Sequence, residues 1–125
     1  MFAIAPGWAL QIERGPNCLF VRLVRGEESD ATPRLAAEIW AQMTRHLTYQ
    51  VVLELDEVKQ IDSFLVGQFM MLHERVLERD GMLRLSGVSE SDREVLRKCG
   101  VEGLLPAYGG PEDAVMGRCR PNQPR

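Results

Sequence analysis

Hydrophobic and polar residues alternate along Trp8-Ala9-Leu10-Gln11-Ile12-Glu13, and Gly15-Pro16-Asn17 supplies a turn before a second apolar run, Cys18 to Val24. This pattern predicts a β-hairpin. Its second strand turns Leu19, Val21 and Leu23 to one face and Cys18, Phe20, Arg22 and Val24 to the other, as suits a strand covered mainly on one side. A polar loop from Arg25 to Asp30 follows, and Thr32-Pro33 predicts a helix start with the hydroxyl as N-cap and the proline at N1. Leu35, Ile39, Met43 and Leu47 then recur every four residues with Trp40 beside them, while Glu38, Gln42 and Arg45 face away.

The centre of the chain is a strand, a loop and a long helix. Val51, Val52, Leu53 and Leu55 form a short apolar run, and the polar residues from Glu57 to Ser63 do not continue it. From Phe64 the period becomes helical, with Leu65, Phe69, Leu72 and Val76 on one stripe, Val66, Met70 and Leu77 beside it, and Gly81 as the expected C′ residue. Met82 to Gly87 reads as another strand, and Ser89-Glu90-Ser91-Asp92 as a capping box with Asp in place of Glu, opening a helix to about Lys98. Gly100 takes its C′ position, Val101 to Tyr108 forms a last extended piece, and Glu112 to Met116 a short helical one. The expected fold is a single α/β domain over residues 1–116, a mixed four- or five-stranded sheet with about four helices, followed by a flexible polar tail, 117–125.

A chain of 125 residues buries roughly two-thirds of its unfolded surface and needs no metal or disulfide staple. With a net charge of -3 and its basic residues scattered, it lacks the basic block that neutralises nucleic-acid phosphates, so no nucleic-acid partner is expected. No apolar run is long enough to span a bilayer, and the first residues carry no basic region ahead of a long apolar one, so no membrane insertion and a cytoplasmic location are expected. Cys18, Cys99 and Cys119 are widely spaced and read as free thiols, Cys18 and Cys99 as small buried hydrophobes. His46 and His73 stand in no nucleophile motif, and no glycine-rich phosphate loop follows a strand. Glu54, Asp56, Glu57 and Asp62 fit a solvated loop better than a paired acid and base. Neither an enzyme nor a cofactor is expected.

Asp62 and Ser63 lie where the central helix begins, a place at which short oxygen-bearing side chains accept hydrogen bonds from free backbone N–H groups and the helix dipole favours negative charge. Ser63 there can be a cap or the seat of a phosphate. The segment LELDEVKQIDSFLVGQF resembles the centre of the STAS domain of anti-sigma factor antagonists, in which Asp-Ser-(Ser/Thr)-Gly-Leu-Gly opens a helix. Asp62, Ser63 and Gly67 agree with that pattern, whereas Phe64, Leu65 and Val66 replace Ser or Thr, Gly and Leu. The likeness extends from about Trp8 to Met116, through the closing segment GMLRLSGVSESDREVLRKCGVEGLLPAY. It implies that a serine-kinase anti-sigma factor phosphorylates Ser63, that the unphosphorylated form sequesters the kinase and frees the sigma factor, and that a phosphoserine phosphatase is a second partner. Gly26 and Glu27 match the start of the family's loop after the second strand, where Ser29 replaces an aspartate.

If Leu65, Phe69, Leu72 and Val76 face the sheet, Phe64 and Met71 share another face with Gly67, Gln68 and Arg75. That face is either a docking patch or part of a wide core stripe. The expected partner-binding set is Asp62, Ser63, Phe64, Gly67, Gln68, Met71, Gly26 and Glu27. The rival is a constitutive STAS adaptor or scaffold subunit of a larger assembly, stressosome-like or associated with a lipid transporter, in which Phe64-Leu65-Val66 replaces switching by permanent packing.

Overall fold

The computed structural model describes residues 2–5, 7–15, 18–25, 34–58, 60–105 and 107–108, the first four of them as backbone. Six strands form one mixed sheet in sequence order: β1 (Phe2–Ala5), β2 (Trp8–Arg14), β3 (Leu19–Arg25), β4 (Gln50–Glu57), β5 (Met82–Ser86) and β6 (Ala107–Tyr108). β1, β2 and β3 are antiparallel neighbours, and β3 to β6 run parallel. Among the described residues three helices cross between the parallel strands: α1 (Leu35–His46), α2 (Ser63–Glu78) and α3 (Glu90–Lys98). All five expected strands are present, and β1 is an addition that the pattern did not announce. The expected helix from Glu112 to Met116, the tail, Cys119, Thr32 and Pro33 lie outside the described residues, as do Gly26 and Glu27.

Because each strand steps to the next in one direction, right-handed crossovers place the helices on one face. The register lines up Val21, Leu53 and Leu85, and beside them Leu19, Val51 and Leu83, so alternate residues of three strands form one apolar surface. Leu65, Phe69, Leu72 and Val76 of α2, Leu35, Ile39 and Met43 of α1, and Leu96 of α3 close over it, all buried. Connectivity also fixes polarity: every helix starts at the edge where the parallel strands end, so the N-termini of α1, α2 and α3 share that edge.

Several element ends differ from the pattern. α1 begins at Leu35, with Arg34 at the N-cap position and no side-chain cap of its own. Leu47 does not extend the buried stripe: it leaves the helix in the left-handed conformation (φ 52°) and is 79% exposed. After α2 the left-handed residue is Asp80 (φ 54°), not Gly81. Gly81 is needed for space instead, because a Cβ there would overlap the Tyr49 carbonyl, which accepts the Met82 N–H at 3.0 Å. Gly100 does take a positive φ of 73° after α3. The last extended piece shrinks to two residues, since Val101 to Leu105 turns, with the Val101 carbonyl accepting the Leu104 and Leu105 N–H groups. No described helix is long and apolar enough to cross a membrane.

Candidate functional site

Two buried apolar residues and three hydrogen bonds shape the connection from β4 to α2. Val58 and Ile61 are 4% and 2% exposed and pin its two halves to the core. The Val58 N–H donates to the Leu55 carbonyl at 3.0 Å, and the Ile61 N–H to Oδ1 of Asp92 at 2.9 Å. Asp62 is extended (φ -114°, ψ 176°), and its Oδ1 accepts the Leu65 N–H at 2.9 Å. Asp62 is thus the N-cap of α2, which corrects the reading of Ser63 as a possible cap. Ser63 is the first helical residue, exposed, and no described residue binds its hydroxyl.

The face next to Ser63 is the one that the helical spacing marked out. Phe64 is 40% and Met71 52% exposed, Gly67 is exposed, and a Cβ at Gly67 would meet nothing within 4 Å. Gln68, expected on the same face, is half-buried and serves the fold. Its Oε1 accepts the Ala36 N–H at 3.0 Å, satisfying the start of α1 from the neighbouring helix, while its Nε2 lies 3.7 Å from Sδ of Met71. Phe64 and Met71 are exposed and not part of the core. The structure therefore brings together Asp62, Ser63, Phe64, Gly67, Gln68 and Met71.

Three of the four carboxylates expected in a loop, Glu54, Asp56 and Glu57, are on β4 and gather around the Arg22 guanidinium. A register shift between the Arg22 and Val24 pairings inserts one extra residue in β4, so Glu57 joins Glu54 and Asp56 around Arg22, at 3.8, 3.6 and 3.7 Å. Asp56 also approaches Gly87, whose φ of +73° and lack of a Cβ make room for it. This cluster faces away from the helices, near Phe20, Val52 and Tyr108.

Cys18 is buried and free, and burial pushes its thiol pKa up, so it is an inert hydrophobe. Cys99, expected to be buried, is exposed at the end of α3, where the helix no longer faces the core. Asp92 is the residue that the sequence pattern misplaced. Ser89 does accept the Asp92 N–H at 3.2 Å, but the Asp92 carboxylate turns away from its own helix start to Ile61. The Ser-x-x-Asp spacing contains only the local half of that arrangement.

These features belong to a known class. The family model of the STAS domain matches residues 10–114, and the chain belongs to that family. Among solved structures, an anti-sigma factor antagonist from Mycobacterium paratuberculosis superposes with a TM-score of 0.73 at 18% identity, covering 93% of this chain and 97% of that one. The anti-sigma factor antagonist SpoIIAA in its unphosphorylated form gives 0.68 at 19% identity over 90% and 100% of the two chains. The Bacillus cell fate determinant SpoIIAA in its phosphorylated form gives 0.63 at 18% over 88% and 100%. Comparison with the curated proteins returned no match.

Proposed function

We propose that this chain is an anti-sigma factor antagonist switched by phosphorylation: with Ser63 unmodified it sequesters a serine-kinase anti-sigma factor, and with Ser63 phosphorylated it releases it. The observation that carries the reading is the exposed Ser63 hydroxyl at the first position of α2, with no bond to a described residue, beside a half-open Phe64 and Met71 and the bare backbone of Gly67. An exposed glycine inside a helix lowers stability by about 0.5–1 kcal/mol relative to alanine, and here no packing demand of the fold offsets that cost. Close approach of a partner does explain it. The similarity to a protein solved in both unphosphorylated and phosphorylated forms supports the same reading.

A phosphate on Ser63 adds about -1.5 to -2 charge at pH 7, with Asp62 adjacent in the chain. The helix start tolerates the charge through its dipole and free N–H groups. A partner covering Phe64 and Met71 does not, because it would have to desolvate a dianion. The protein acts as a kinase substrate and a binding module in the cytoplasm, and a phosphoserine phosphatase resets it. The same exposed Phe64, where the family has Ser or Thr, favours the second reading, a constitutive adaptor whose patch is permanently covered in a larger assembly.

Affinity capture from the native host, with phosphosite mapping of the recovered chain, tests the proposal. The expected result is a kinase bound to the unmodified form and phosphate on Ser63. Calorimetric titration then separates the readings: equal affinity of that kinase for the wild type, Ser63→Asp and Ser63→Ala removes the switch and leaves the adaptor.

A further inference from the structure

We propose that Asp92 is a positioning residue for Ser63: its buried carboxylate fixes the connection between β4 and α2 and so sets where the Ser63 hydroxyl is offered. This rests on the reading of Ser63 as the modified residue. The side chain is only 3% exposed, and a carboxylate removed from water is costly unless its oxygens are bonded. Asp92 sits in the first turn of α3, where the helix dipole lowers that cost, and its Oδ1 accepts the Ile61 N–H at 2.9 Å across 31 residues of sequence.

The contact lies two residues before Ser63. Ile61 is held twice, by its buried side chain and by its N–H, and Asp62 is held by its bond to the Leu65 N–H. Ser63 follows two anchored residues directly, so its backbone has little freedom although no described residue binds its side chain. The local role, a carboxylate returned to the N–H of Ser89, is not the one adopted. Asp92 therefore links α3 to the start of α2, and a change at the first turn of α3 is transmitted to Ser63.

The test uses the full chain labelled with ¹⁵N and measures amide hydrogen exchange and chemical shifts in Asp92→Ala, Asp92→Asn and Ser89→Ala. In Asp92→Ala, the Ile61 amide should exchange about tenfold faster relative to Leu53 and Leu85, and the amide resonances of Asp62, Ser63 and Leu65 should move. Asp92→Asn keeps an oxygen acceptor but loses its charge, so Ile61 should exchange about threefold faster, a result available even if the alanine variant does not fold. Ser89→Ala weakens the cap of α3 and should leave Ile61 protected. The proposal is overturned if the Ile61 amide is unaffected in Asp92→Asn, if Ser89→Ala exposes it as much as Asp92→Ala does, or if the Ser63 resonance stays in place while Ile61 is released. None of these readouts involves a kinase. A wild-type chain that is never phosphorylated on Ser63 would sink the function proposed above and leave the Asp92 anchor to be judged by exchange.

Discussion

The two ends of the helical layer are finished differently. At the edge where the helices begin, each helix start is served by a side-chain oxygen: Gln68 accepts the Ala36 N–H of α1, Asp62 the Leu65 N–H of α2, and Ser89 the Asp92 N–H of α3. At the other edge backbone closures dominate, with Thr48 N–H on the Met43 carbonyl, Gly81 N–H on that of Val76 and Val101 N–H on that of Leu96, and the Thr48 hydroxyl adds a bond to the His46 carbonyl at 3.0 Å. Two of those three ends place a non-glycine residue, Leu47 or Asp80, in the left-handed region. Arginines cover aromatic rings there, Arg75 over Trp40 at 5.8 Å and Arg79 over Tyr49 at 5.4 Å. The first edge commits these polar side chains to fixed partners and leaves the Ser63 hydroxyl without one among the described residues. The second carries local strain that can be altered without touching the candidate site.

If the two ends are independent, a substitution that damages the second edge should cost stability and leave docking intact. Gly81→Ala is the strongest such test, because its methyl would overlap a carbonyl already engaged by the Met82 N–H, and it should lower unfolding free energy by about 3 kcal/mol in a denaturant titration. The folded fraction should bind the partner as the wild type does. A parallel loss of affinity would show that the two edges are coupled. At the first edge the signs reverse: Ser63→Asp should weaken binding by about 1–3 kcal/mol in calorimetry while its melting temperature hardly moves. Ser63→Ala should match the wild type in stability, since Asp62 and not Ser63 caps the helix, whereas Asp62→Ala should lose about 1 kcal/mol.

How much of this was legible in the sequence follows from the range of each interaction. Period-two and period-3.6 patterns sample neighbours within a few residues, so they located the core faces of β3 and α2 and grouped Phe64 with Met71 on a separate face, while its exposure was left open until the packing was seen. The same patterns placed Leu47 on the buried stripe of α1, because period alone does not show that the backbone has already left the helix. Gly81 looked like a C′ residue, but its place is set by a carbonyl 32 positions earlier. Gln68 and Asp92 looked like a surface amide and a local cap. Each directs its oxygen to a residue about thirty positions away, which no local spacing encodes. The extra residue in β4 that gathers Glu57 with Glu54 and Asp56 around Arg22 was equally hidden, as a bulge is a property of pairing and not of one strand.

The strain at the second edge gives a smaller effect of opposite sign. Leu47 holds φ 52° and, at 79% exposure, makes little packing that could compensate. Leu47→Gly should therefore raise stability by about 1 kcal/mol in equilibrium unfolding, with no change in partner affinity. Absence of a gain would show that the left-handed conformation at Leu47 stores no strain.

Gly67→Ala is the mildest substitution and the one that sets the two ends most directly against each other. Gly67 lies in mid-helix, exposed, with open space where a Cβ would be, so alanine should fit without a clash and stabilise the chain by about 0.5–1 kcal/mol. If the bare backbone there exists for a partner's close approach, the added methyl should reduce affinity even as it raises stability. That opposition distinguishes a docking role from a folding role, because a glycine retained for the fold would lose stability on substitution. The measurement is a pair, unfolding free energy and calorimetric affinity, on the same preparation. A more stable variant with undiminished affinity would move the docking surface away from this face of α2, while leaving Ser63 free to be modified at its helix start.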